Sequence, residues 1–410
     1  MLKGSSPEKF RITTRFALAN ILLVSNVFIW YFYAATILEE IVSRAAQDYF
    51  TAPLTWSVHF AAIIFSAISG ALLVKMEKRT NFLISWMMLG VVSSLTPILV
   101  NNRDTLGVVI IALTLGISLG LGMPNCMGYY AGQINIENRG RSGGIIMFIS
   151  GLGIALLGMT GIKNVELQTL VLTVLRISGL VIFLLIRPRE EIKRKNKNPS
   201  YRNVFGQRSF LSYLVPWIMF SLVTYLTAPM MIGIIGRSKA DSLLVIENAL
   251  IAVFAIVGGF LSDYFGRKRM AITGFALLGL GYSILGIYPE ALFSWYLYTV
   301  VDGIAWGIFF VIFVVTIWGD LGYDAPSDKY YAIGVLPFFT SKFLQLVIGD
   351  YIAETIPRER YAIFSFTAFF LFLAVLPLFY APETLPEKNI KERELKQYIE
   401  KAKKIREKHA

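Results

Sequence analysis

The sequence predicts an all-α polytopic membrane protein whose twelve transmembrane helices form two six-helix bundles. Three observations carry this: an apolar composition, twelve runs almost free of charge, and one basic stretch that divides them six and six. Of the 410 residues, 55% are hydrophobic and 16% charged, and mean hydropathy is +0.60. Soluble chains average about 45–50% apolar and about 25% charged residues. A hydrocarbon solvent selects that excess and that deficit together.

A bilayer core of about 30 Å needs roughly 20 apolar residues per helical crossing. By that measure segments 1–6 are residues 16–38, 50–74, 81–100, 105–133, 143–162 and 167–186. Segments 7–12 are residues 209–232, 243–262, 270–287, 291–318, 331–353 and 361–380. Segment 1 is too long for the apolar region of a signal peptide and has no clear cleavage site, so it is expected to stay as a crossing. The chain then divides into an N-terminal bundle (1–186), a basic linker (187–208), a C-terminal bundle (209–385) and a tail (386–410). The tail reads as an amphipathic helix with Leu395, Tyr398, Ile399, Ala402 and Ile405 on one face.

Charge sets the orientation. Twelve crossings put both termini on one side, and thirty of the 39 Lys and Arg residues fall there, against seven on the other side. The remaining two, Arg176 and Lys342, lie inside segments. The positive-inside rule therefore makes both termini cytoplasmic, in a multi-pass protein of the plasma membrane. The net charge of +12 is thus a topology signal and an attraction to anionic lipid, and nucleic acid is not an expected partner. One cysteine, Cys126, excludes a disulfide framework and a thiolate zinc site, and two distant histidines, His59 and His409, argue against any metal centre. No G-x-x-x-x-G-K-[ST] loop occurs, so ATP drive within the chain is not expected; no Ser/His, zinc-like His cluster or paired-carboxylate arrangement stands out at membrane depth, so neither an enzymatic role nor a cofactor is expected.

The two halves repeat each other. Gly116-Ile-Ser-Leu-Gly120 in segment 4 matches Gly303-Ile-Ala-Trp-Gly307 in segment 10 at an offset of 187, and Gly70 matches Gly259 at an offset of 189. Small residues four apart let helices pack closely. Basic pairs follow both of the latter glycines, Lys78-Arg79 and Arg267-Lys268.

Gly259-Phe-Leu-Ser-Asp263-Tyr-Phe-Gly266-Arg267-Lys268 resembles the signature loop of the major facilitator superfamily, G-x-x-x-D-x-x-G-R-[KR], and stands between segments 8 and 9, as it does there. Gly266 permits a tight turn, and Asp263 is placed to cap the following helix or to pair with a neighbouring Arg. The first-half copy departs from the pattern, with Val74 for the Asp and Glu77 for the second Gly. Glu137-Asn-Arg139-Gly140-Arg141 resembles the family's E-x-x-R-G-R connector. Pro382-Glu383-Thr384 resembles the short P-E-T segment of sugar porters and organic-ion transporters. An Arg that the proton-coupled drug exporters carry in segment 4 is Gly116 here, which counts against drug–proton exchange.

Charges at membrane depth cost about 2.5–3.5 kcal/mol each, so they are functional candidates. Asp302 lies eleven residues into segment 10 and Lys342 eleven into segment 11 from the opposite face. At 1.5 Å per residue both sit about 16 Å deep, and the matching depth predicts an ion pair. Trp295, Tyr298, Thr299 and Trp306 share a stripe with Asp302, while Thr114, Ser118, Asn125 and Tyr129 form one in segment 4. Asn26, Trp30 and Tyr33 mark a face of segment 1, Ser221, Thr224 and Tyr225 one of segment 7, and Gln345 joins Lys342 in segment 11. Segments 1, 4, 7 and 10 line the family's central cavity, so the resemblance implies that these stripes meet there. Glu247, early in segment 8, is an outer-gate candidate or a partner of Arg237 or Lys239, and His59 lies mid-depth in segment 2 as a packing or proton-relay histidine. Pro124 and Pro337 are expected at kinks, and Arg176 has no evident partner.

The function the resemblance implies is secondary active transport of a small organic solute by alternating access. The coupling ion expected is a proton rather than sodium, and the protein is expected to work as a monomer. A non-transporting sensor that keeps the fold is the alternative, and drug or organic-ion efflux the alternative substrate class.

Overall fold

The computed structural model describes residues 14–45, 50–73, 78–186, 199–323, 325–355, 361–385 and Leu395, and among them every regular element is helical. Among the described residues twelve helices are long and apolar enough to cross a membrane. In the first half they are α1 (Thr14–Ala45), α2 (Thr51–Leu73), α3 (Arg79–Leu99), α4 (Thr105–Gln133), α5 (Arg139–Met159) and α6 (Val165–Ile186). The second half has α7 (Arg208–Ile235), α8 (Arg237–Phe265) and α9 (Arg267–Ile287), then three interrupted helices. These are α10 (Leu292–Phe309, continuing to Leu321), α11 (Asp328–Gly334, then Leu336–Thr355) and α12 (Ala362–Leu373, then Val375–Tyr380).

Each of segments 1–9 falls on one helix and segments 10–12 on the interrupted ones, and several run further than expected. α1 continues to Ala45 because Ile41, Val42 and Ala45 are buried in the bundle. Hydropathy marks the apolar slab, whereas a helix goes on for as long as packing and backbone hydrogen bonds favour it. The tail beyond Leu385, apart from Leu395, and linker residues 187–198 lie outside the described residues, as do Val74 and Glu77.

The repeated glycines are a repeat in packing. A side chain at Gly116 on α4 would come within 2.6 Å of the His59 carbonyl oxygen on α2, and one at Gly303 on α10 within 3.1 Å of the Glu247 carbonyl oxygen on α8. Gly120 and Gly307 continue the two seams, one against Ile63 and Ala67, the other against Ile251 and Ala255. His59 therefore corresponds to Glu247, and Leu115 to Asp302. The same register pairs Gly70, which abuts Leu121, with Gly258, which abuts Ile308. The sequence match of Gly70 to Gly259 is thus displaced by one residue, and Gly259 has a different task described below.

α10 is irregular where no proline or glycine foretells it. Phe310–Thr316 form a π-helical stretch, in which the wider turn frees carbonyls. Two of the carbonyls there are taken from the side: Trp318 Nε1 donates to that of Phe313, and the Tyr331 hydroxyl to that of Val315 at 2.5 Å. The Phe313 ring stacks on Trp217 of α7 with centroids 5.0 Å apart. In α11 the break falls at Val335, two residues before Pro337, whereas α4 runs through Pro124 without interruption.

Candidate functional site

The halves are fastened to each other at the end of the bundle that carries the basic loops. Arg79 on α3 chelates both carboxylate oxygens of Asp328 at the start of α11. Arg139 at the start of α5 pairs with Asp320 at the end of α10. Arg141 reaches Asp263 on α8 at 3.2 Å. Each of these pairs crosses from one half to the other, and Arg79, Arg139 and the three aspartates are buried. Buried guanidinium–carboxylate pairs of this kind are strong and geometrically specific, and losing one partner costs about 3–5 kcal/mol.

Asp263 does more than pair. Its oxygens accept the Gly140 and Arg141 backbone N–H groups at 2.9 and 2.8 Å, so it caps the N-terminus of α5 in the opposite half. It also holds Arg267 at 2.7 Å. The sequence suggested a cap for the helix that follows; that helix is capped instead by Glu383, which accepts from Arg267 N at 2.8 Å and Lys268 N at 3.1 Å. Gly266 makes this possible twice over. Its φ of +102° suits glycine, and a side-chain carbon there would collide with the Glu383 carboxylate. Arg267 then bridges to Asp320 at 3.2 Å and to the Ile136 carbonyl at 2.8 Å, while Thr384 donates to Asp320 at 3.1 Å. Lys268 ties α9 to α12 through the Phe379 carbonyl at 2.8 Å. Glu137 sits in the turn Ile136–Asn138 that leads into α5.

Beneath the ion pairs the two halves touch through backbone. A side chain at Gly259 would lie 3.1 Å from both the Gly140 carbonyl carbon and the Gly144 Cα, so α5 and α8 cross with nothing between them. The linker adds a strap: Tyr201 donates to the Ile68 carbonyl at 2.8 Å, and Lys329 to the Pro199 carbonyl at 2.7 Å. Burial and the nearby Asp328 push the Tyr201 hydroxyl well above its ordinary pKa, so it stays a neutral donor.

Between the halves, deeper in, lies an aromatic layer. Tyr225 on α7 meets Trp306 on α10 and Phe338 on α11, with centroids 6.0 and 5.7 Å apart. Tyr31 on α1 meets Phe339 at 5.6 Å across the halves, and Phe60 on α2 meets Phe343 at 6.0 Å. Lys342 lies on this layer with its ammonium 5.6 Å from the Tyr225 ring, donating to Gln345 Oε1 at 2.9 Å.

The expected Asp302–Lys342 pair does not form. The Gly303 and Gly307 seam draws α10 onto α8 and turns Asp302 toward Glu247 and Tyr298. The break at Val335 rotates α11 so that Lys342 faces Tyr225 and Gln345. Groups that do not touch contribute additively. The double variant Asp302→Asn/Lys342→Met is therefore expected to show a coupling energy below about 0.5 kcal/mol in a thermal-unfolding cycle. A larger coupling would restore the pair.

Several polar residues expected at the cavity serve packing inside the first half. Asn26 donates to the Leu175 carbonyl on α6 at 2.8 Å, Trp30 to Ser94 on α3 at 2.7 Å, and Asn125 to the Gly70 carbonyl on α2 at 2.9 Å. His59 Nδ1 is held by the Ala112 carbonyl at 2.9 Å, its ring edge-on to Trp56 and Phe60. Glu247 pairs with neither Arg237 nor Lys239 among the described residues; its side chain meets Asp302. Arg176 is fully buried with its guanidinium carbon 4.9 Å from the Trp30 ring and 4.5 Å from the Trp86 ring. This double cation–π contact is its partner, and Gly90 leaves the space for it. Asp320, Asp328 and the pairing of Arg79 were not anticipated, because charges at the ends of apolar runs resemble ordinary loop charges.

The family model described as Major Facilitator Superfamily matches residues 22–313. Among solved structures, the proton:xylose symporter XylE bound to 6-bromo-6-deoxy-D-glucose is similar, with a TM-score of 0.66 and 15% identity over 90% of this chain and 96% of that one. The human organic anion transporter MFSD10 (TETRAN) is similar with a TM-score of 0.60 and 13% identity, over 91% of this chain and 100% of that one. No curated protein matches the chain. The repeated halves, the loop from Gly259 to Lys268 with its cross-half contacts, and the family match over most of the chain agree: this protein belongs to the major facilitator superfamily and is a membrane transporter.

Proposed function

We propose that the protein is a secondary active transporter that carries a small organic solute by alternating access, with proton coupling. The observation that supports it best is the set of cross-half pairs Arg79–Asp328, Arg139–Asp320 and Arg141–Asp263. Ion pairs between two rigid bundles form a gate that can open and close without unfolding either half. In the proposed orientation this gate is cytoplasmic and closed, and both termini lie on its side. The solute site is the aromatic layer around Tyr225, Trp306 and Lys342, where flat apolar faces surround one ammonium and one amide. A solute with a carboxylate or several hydroxyls suits that lining.

The solved neighbours direct the first probes, one being a proton:xylose symporter and the other an organic anion transporter. Reconstituted protein is expected to exchange at least one radiolabelled monosaccharide or organic anion in counterflow, and Lys342→Met to lower that exchange at least tenfold. Absence of exchange across both panels, from protein that melts cooperatively, would favour the sensor. Orientation is checked separately. A single cysteine at Pro289 is expected to react with an impermeant maleimide from outside intact cells, and one at Ser200 only after permeabilisation; the reverse pattern overturns the topology.

A further inference from the structure

We infer that Glu247 and Asp302 form a carboxyl dyad that holds one proton between them, inside the second half alone. The geometry begins with the glycine seam. With no side chain at Gly303, whose Cβ would lie 3.1 Å from the Glu247 carbonyl oxygen, α10 closes onto the Glu247 turn of α8, and the preceding residue, Asp302, is brought beside Glu247. Asp302 is 3% exposed, and its Oδ1 is buried with no donor. Among the described residues no cation pairs with either carboxyl, and Lys342 is turned to Gln345. Two ionised carboxylates have no hydrogen to place between them and repel each other. A carboxyl O–H donating to a carboxylate satisfies the contact, so the pair retains one proton.

The surroundings fit a site that changes protonation state. The titratable groups facing the dyad are Tyr298 on α10 and Tyr282 on α9. Tyr298 and Tyr282 hydroxyls lie 3.2 Å apart, and Tyr282 lies 2.9 Å from Thr227 Oγ1 on α7. Thr227 has the Val223 carbonyl at 2.9 Å as a further acceptor. Tyr298 donates to Tyr282, so its oxygen is left to accept from a protonated Asp302, and the chain passes its hydrogens on through Thr227 to the Val223 carbonyl. Glu247 is the partly exposed member and Asp302 the enclosed one.

The internal repeat supplies a comparison within the molecule. The corresponding positions of the first half are His59 and Leu115, and His59 is already engaged by the Ala112 carbonyl. The first half thus keeps the seam and lacks the dyad. The inference rests on the transporter reading only for its purpose, since coupling needs a proton site that one half carries as it moves.

The test uses the full chain in lipid nanodiscs and reads the proton directly. Infrared difference spectra across a pH titration follow the C=O stretch of a protonated carboxyl. The wild type is expected to show one such buried acid. Its titration midpoint should be displaced by at least one pH unit in both Glu247→Gln and Asp302→Asn, and the band should be absent from the double variant. Tyr298→Phe should keep the band and alter its frequency. A wild type without the band, or a midpoint unmoved by either single substitution, overturns the dyad. These spectra need no solute, so counterflow can fail while the dyad stands, and the reverse.

Discussion

Replacing Asp320 by Ala is expected to open the basic end of the protein. Asp320 is the shared partner of Arg139 and Arg267, both essentially inaccessible to water, and it also accepts from Thr384. Its removal leaves Arg139 buried without its carboxylate and Arg267 with Asp263 alone. For a buried pair the loss of one partner costs about 3–5 kcal/mol, a large share of the roughly 5–15 kcal/mol that separates folded from unfolded domains. The cheapest relief is to let water reach the arginines by parting the halves. In a Cys126→Ala background, a cysteine at Ala131, buried beside this cluster, is expected to be silent toward impermeant maleimide in the wild type and to react at least tenfold faster in Asp320→Ala. Asp320→Asn, which keeps the shape, should lie between. Equal rates in all three would show that the gate does not depend on this carboxylate.

Gly259→Val should act on the same closure through sterics alone. The atoms that meet the new side chain are backbone atoms of Gly140 and Gly144, which cannot move aside as a flexible side chain can. Overpacking a tight seam costs about 1–3 kcal/mol, and here the seam joins two separable bodies. The halves are expected to separate at this end. Spin labels placed one on each half there should report a distance longer by roughly 3 Å or more, about the extra depth of a valine side chain. Gly70→Val is the control, since Gly70 faces Leu121 of its own half. It should destabilise the first bundle and leave the distance unchanged. Matching behaviour of the two variants would remove the distinction between packing within a half and packing between halves.

The crossings, their six-and-six division and the loop from Gly259 to Lys268 are legible in the sequence because each is written along the chain axis. Depth in the membrane is axial too, and Asp302 and Lys342 were matched on depth. Which way a residue faces around its helix is a second coordinate. It was set here by Gly303 and Gly307, by the break at Val335 and by the π-helical stretch of α10, and the last of these has no residue signature. The same gap moved Asn26, Trp30 and Asn125 from the expected cavity into the first bundle. The ion-pair gate was half visible: Asp263, Arg139 and Arg141 stood in recognisable motifs, whereas Asp320 and Asp328 did not. The positive-inside rule counts basic residues as solvated loop charges, and Arg79, Arg139 and Arg267 are fully or almost fully buried.

The stack of Arg176 between Trp30 and Trp86 bears on how the protein is made. A lone arginine at the middle of a nascent helix opposes its release from the translocon into lipid by about 2.5–3.5 kcal/mol. Both tryptophans belong to helices synthesised before α6, so their ring faces await the guanidinium when it emerges. Domains generally fold in the order of synthesis, so α6 meets α1 and α3 already in place. Loss of either tryptophan would therefore deprive the arginine of a ring face at the moment α6 joins the bundle.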